Sequence, residues 1–127
     1  MRKADHDLIT ARHTLTLPDG PTDTPCFHAQ QAVEKAIKGI LTAQGITFPR
    51  THDLMPLLDL VATTLPEWLV ERKALAELTG YGVEVRYPGA WLDPTREEAH
   101  HALATAERMV AKAQEEMNKW EENERLF

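Results

Sequence analysis

Apolar residues return at intervals of three and four along most of the chain, which is the period of one face of a helix. Ala4, Leu8, Ala11 and Leu15 trace such a face between Lys3 and Leu15. Phe27, Gln30, Val33, Ile37, Ile40, Leu41 and Gln44 trace a second, and Gly45 stands where a left-handed residue would close that helix, so the spacing predicts a helix over 25–44. Thr51 is the expected N-cap of a third helix, buried through Leu54, Leu57, Leu58, Val61 and Leu65. Pro66 interrupts the pattern, and a fourth helix is expected over 67–78 with Leu69, Leu75 and Leu78 inward. Ala99, Leu103, Ala106, Val110, Ala113 and Met117 predict the last helix, opened by Asp93-Pro94 and by a capping box from Thr95 to Glu98.

The stretches between these stripes carry turn chemistry. Pro18 to Pro25 holds three prolines and reads as a loop, and Gly80 to Gly89 reads as an ordered connection around two tyrosines. The tail over 119–127 is expected to fray. Five amphipathic helices with short links bury their stripes against one another, so the expected fold is all-α: an up-and-down antiparallel bundle of four to five helices, in one domain spanning 1–127.

Composition narrows the function. At 127 residues, 43% hydrophobic and 27% charged, the chain has the profile of a folded domain, and 6% aromatics disfavour strands. A net charge of −6 means that any RNA or nucleotide must meet a local basic cleft rather than a basic coat. No apolar run approaches the roughly 20 residues of a membrane span, and Met1 to Asp7 is too polar for a secretory signal, so the expected location is the cytoplasm, away from membranes. The single Cys26 cannot form an intramolecular disulfide, the six histidines lack zinc spacing, and no glycine-rich phosphate loop precedes a helix. Neither a metal nor another cofactor is expected.

Two segments hold more polar groups than packing requires. Gln30 lies on the second helix's apolar stripe, while Gln31, Glu34 and Lys38 share a neighbouring strip. They form either a solvated face with a Glu34–Lys38 ion pair or the wall of a cleft. Tyr81-Gly-Val-Glu-Val-Arg86-Tyr-Pro places an arginine between two tyrosines. A planar guanidinium with two phenols suits phosphate or base recognition, and the same residues could equally pair with a carboxylate such as Glu34 and cap the bundle.

Phe27-His-Ala-Gln-Gln-Ala-x-Glu-Lys-Ala-x-Lys38, Thr51-His-Asp-Leu54 and Tyr81-x-x-x-x-Arg86-Tyr-Pro88, in that order and spacing, resemble the HEPN domain, the helical nucleotide-binding domain of higher eukaryotes and prokaryotes. The resemblance runs from the first helix to about Met117. It implies a helical bundle that forms a homodimer with a polar cleft near the dimer axis. It also implies pairing with a minimal nucleotidyltransferase as toxin and antitoxin and, in many relatives, metal-independent RNA cleavage. A cleft lined by Gln31, Glu34, Lys38, Tyr81, Arg86 and Tyr87 would bind nucleotide or RNA.

Cleavage in that family rests on an arginine followed, after four to six intervening residues, by a histidine. Arg86 lacks such a partner, whereas Arg96 has one in His101, and His100, at i+4 from Arg96, is the rival. In this expectation Arg86 or Arg96 binds phosphate and His100 or His101 is the acid or base. Metal-free cleavage needs a base for the ribose 2′-hydroxyl, an acid for the leaving oxygen and a cation for the phosphorane. His52, beside Thr51, is read as a structural residue at a helix end or as a cleft residue, with structure favoured. The opposing expectation is a non-catalytic dimerisation and binding module that supports a partner nucleotidyltransferase.

Overall fold

The computed structural model describes residues 1–82 and 93–125. Among these, five α-helices and two short 3-10 turns make up the regular structure: α1 (Arg2–Thr16), α2 (Asp23–Ala43), α3 (Leu54–Ala62), α4 (Arg72–Thr79) and α5 (Arg96–Arg125), with 3-10 turns at Pro66–Glu71 and Gly80–Gly82. The expected all-α bundle is present. α2 is its axis and packs most extensively on α1 and α5, while α3 and α4 cover its remaining side. Every alanine of the α1 and α5 stripes is buried, as are Val33, Ile37, Ile40 and Leu41 of α2 and Leu54, Leu57, Leu58 and Val61 of α3. Alanine-rich stripes let the three long helices approach closely.

Helix ends follow local chemistry. α2 closes on Gly45, whose φ is +70°. Ile46 N–H donates to the Leu41 carbonyl at 2.8 Å and Gly45 N–H to that of Thr42 at 3.1 Å, a Schellman closure. α5 opens with the expected reciprocal box: Glu98 N–H donates to Thr95 Oγ1 at 3.0 Å and Thr95 N–H to Glu98 Oε1 at 3.2 Å.

Four details differ from the sequence expectation. α2 begins at Asp23, so Pro25 lies in its first turn, where a missing N–H costs nothing. The cap of α3 is Asp53, which accepts from Met55 N–H at 3.0 Å, while Thr51 Oγ1 accepts from Asp53 N–H. The fourth helix divides, with Pro66–Glu71 as a 3-10 turn before α4. Its tighter winding turns Trp68 inward and leaves Leu69 exposed. α5 continues through the expected tail to Arg125.

Candidate functional site

Gln30, Glu34 and Lys38 recur every four residues and stack along one side of α2. The Glu34 side chain is only 6% exposed, and both carboxylate oxygens are engaged. Oε2 accepts from Lys38 Nζ at 3.1 Å, and Oε1 accepts from Gln30 Nε2 at 3.3 Å and from His52 Nδ1 at 3.0 Å. A carboxylate can only accept, so the His52 Nδ1 carries the hydrogen and its Nε2 is left as the basic nitrogen of the neutral ring. Gln30 Nε2 also donates to the His52 carbonyl at 2.8 Å, so the loop before α3 is fastened by ring and by backbone. Gln31 joins the set by donating to Gln30 Oε1 at 2.7 Å, and Lys38 lies 5.7 Å over the Phe48 ring.

Gly82 seats directly on this network, where a Cβ would overlap the Gln30 carboxamide, so the position admits only glycine without displacement. The Tyr81 side chain turns elsewhere and hydrogen-bonds Cys26. Eight residues separate Cys26 from Glu34, about 12 Å along a helix. Burial pushes the Cys26 thiol up to about 11, against the lowering effect of the Tyr81 bond, and burial also raises Tyr81, helped by Cys26 and Glu98. Of the expected cleft residues, Gln31, Glu34 and Lys38 are brought together and Tyr81 lies toward the start of α2. Arg86 and Tyr87 lie outside the described residues.

The α5 candidates separate. Arg96 donates to the carbonyls of Leu15 at 2.8 Å and Leu17 at 3.3 Å, so its guanidinium caps the C-terminal end of α1. His101 is 70% exposed, with Nε2 3.7 Å from Glu77 Oε2. It lines a cleft of about 640 Å³ with Tyr81, Glu97 and Glu98. Three glutamates there oppose a polyanion. His100 is exposed to solvent.

A family model of the HEPN domain matches residues 1–117. The chain belongs to the HEPN-domain family. At the level of the family this makes it a nucleotide- or RNA-related protein. No curated protein and no solved structure matches it significantly. No described helix of this HEPN chain is long and apolar enough to cross a membrane.

Two further charged sets went unnoticed in the sequence because their members come from different helices. Asp7 of α1, 9% exposed, accepts from Lys35 Nζ at 2.6 Å and from His28 Nδ1 at 2.8 Å, both on α2. Glu71 accepts from Arg108 at 2.5 and 2.7 Å and from Lys112 at 3.1 Å, both on α5, next to buried Trp68. Burial alone would raise Glu71, but the bonds from Arg108 and Lys112 outweigh it and hold the carboxyl below its ordinary value. Both sets bind a buried carboxylate of one helix or turn to basic side chains of another.

Proposed function

We propose that this HEPN domain works as a homodimer in a toxin-antitoxin-type module with a minimal nucleotidyltransferase, binding nucleotide or RNA in a dimer cleft and cleaving RNA without metal. Gln31, Glu34 and Lys38 of α2 line the cleft, and Arg86 and Tyr87, read from the sequence alone, are the further residues expected to bind there. One observation carries this reading: α2 gathers its polar groups around Glu34 at the point where Gly82 begins the stretch leading to Arg86. A chain of net charge −6 needs a local cationic feature to admit a phosphate, and Lys38 and Arg86 are the cations expected to supply it.

The test is fluorescence anisotropy with a labelled oligoribonucleotide. Lys38→Ala and Arg86→Ala are each expected to weaken binding about tenfold and to flatten its salt dependence. Unchanged binding in both folded variants would remove the cleft.

A second reading has its own support. Arg96 spends its donors on α1 carbonyls and His101 sits among glutamates, which favours a non-catalytic binding and dimerisation module that supports the nucleotidyltransferase. It expects a dimer that binds its partner and leaves RNA uncut. Metal-free incubation with RNA beside Arg86→Ala, Arg96→Ala, His100→Ala and His101→Ala separates the two readings: cleavage lost in an arginine and a histidine variant assigns the pair.

A further inference from the structure

The histidine with the most complete acid-base environment is in neither α5 candidate pair. His52 lies just before α3, its ring held by a buried carboxylate and its backbone carbonyl held by Gln30. Its side chain is 63% exposed, while that of Glu34 is 6% exposed. A carboxylate that fixes one imidazole nitrogen and leaves the other free for a ligand serves three purposes: it sets the tautomer, fixes the ring plane and stabilises the imidazolium that forms when the free nitrogen takes a proton. Lys38 holds the second oxygen of the same carboxylate, so a cation stands within the same small cluster.

Other parts of the molecule offer less. His28 has the same composition around it, with Asp7 and Lys35, yet its side chain is 27% exposed, and its ring meets Phe27 edge-on at 5.5 Å. Its role is satisfied by tying α1 to α2. His101 faces glutamates that repel a phosphate.

We propose that His52, oriented by Glu34, is the proton acceptor for cleavage of a ribose phosphodiester, an assignment that rests on the RNA-binding reading above. The 2′-hydroxyl of bound RNA gives its proton to His52 Nε2 as the 2′-oxygen bonds to phosphorus. The bond from phosphorus to the 5′-oxygen breaks, and that oxygen takes a proton from water. The products are a 2′,3′-cyclic phosphate and a 5′-hydroxyl. The imidazolium hydrogen-bonds through Nδ1 to the Glu34 carboxylate, and the Lys38 ammonium offsets charge on the phosphorane. Glu34 acts through His52 and is a positioning residue.

The experiment uses the full chain, excess EDTA and a fluorescent oligoribonucleotide, with anisotropy for binding and mass spectrometry for the product termini. Wild type is expected to bind the RNA, to produce cyclic phosphate ends and to leave the matching oligodeoxynucleotide uncut. His52→Ala, an exposed substitution, is expected to bind as wild type does and to cleave about 10²–10⁴ times more slowly. Added imidazole is expected to restore part of the rate in His52→Gly, which a purely structural loss would not allow. The exposed control His13→Ala is expected to cleave normally. Binding without cleavage by wild type overturns the proton-transfer role and leaves the binding reading intact. Full cleavage by His52→Ala, or no rescue of folded His52→Gly, overturns it as well. Failure to bind at all brings down the cleft and this assignment together.

Discussion

Among the described residues are two sets of a carboxylate, a histidine Nδ1 and a lysine: Asp7 with His28 and Lys35, and Glu34 with His52 and Lys38. Their chemistry is nearly identical and their placement is not. Asp7 lies on α1 and both its partners on α2, so every bond of the set joins two long helices. Glu34 and Lys38 share one helix, and His52 comes from a loop that Gln30 also holds. An i, i+4 ion pair within a helix contributes only a few tenths of a kcal/mol, so the Glu34–Lys38 pair adds little to the bundle, while the His52 ring and the Gln30 amide fasten the loop before α3. What the second set adds besides is an oriented, exposed imidazole whose other nitrogen has no partner among the described residues. Identical groups thus serve cohesion in one place and are left available for chemistry in the other.

The largest expected effect separates the two histidines. His52→Ala should slow RNA cleavage at least about a hundredfold with the melting temperature almost unchanged. His28→Ala should do the reverse, costing about 1–2 kcal/mol of stability while cleavage per folded molecule persists. Cleavage kinetics and thermal melts on both variants decide it. If each variant loses stability alike and neither loses cleavage, the two sets are equivalent and the comparison fails.

Gly82 tests the mounting of the second set. Alanine there must displace Gln30, whose amide holds both Glu34 and the His52 carbonyl. Overpacking of this kind costs about 1–3 kcal/mol, and cleavage should fall with it. Urea unfolding beside the cleavage assay measures both, and a Gly82→Ala protein with wild-type stability would mean that the contact is slack.

Much of this arrangement was legible in the sequence. The stripes, the Gly45 closure and the Thr95–Glu98 box are local features, fixed by spacing and by the conformations that individual residues favour. Glu34 and Lys38 were legible for the same reason. The link to His52 was not, because a residue 18 positions away reaches Glu34 only once α3 has folded back on α2. Asp7, His28 and Lys35 were hidden in the same way, by separations of 21 and 28 positions. Thr51 and Asp53 are both good caps, and sequence alone does not say that Asp53 takes the helix while Thr51 supports Asp53. Leu69 was placed inward on an α-helical period that the 3-10 turn after Pro66 does not keep.

Glu71 extends the comparison to a carboxylate paired with permanent cations. Its folded value is lowered, so the stability it supplies is present above its ordinary value of 4.5 and is lost as pH falls through the depressed folded value. Glu71→Gln should cost about 2 kcal/mol at neutral pH and make acid unfolding shallower below that point. Urea midpoints from pH 7 down to pH 3 check this. An unchanged acid slope would mean that Arg108 and Lys112 pair elsewhere.

The smallest expected effect lies at alkaline pH, where Cys26 and Tyr81 contrast with every paired carboxylate: burial keeps them neutral instead of holding a charge. The Cys26 thiol is raised from 9.0 to about 11. A raised value means that the folded state holds the proton longer than the unfolded chain does, so this contribution is complete below 9.0 and is lost as pH climbs toward about 11. Tyr81, raised from 10.0, adds a loss of the same sign that begins later. Cys26→Ala should therefore remove the decline between 9.0 and 10.0 and make it shallower above, while Tyr81→Phe should trim only the upper part. Thiol labelling gives an independent check, since a fully buried thiol with a raised value should resist iodoacetamide at pH 8 until urea opens the bundle. Rapid labelling of the folded protein would show that the junction of α2 with the 3-10 turn at Tyr81 opens readily, and the alkaline decline would then have to come from other groups.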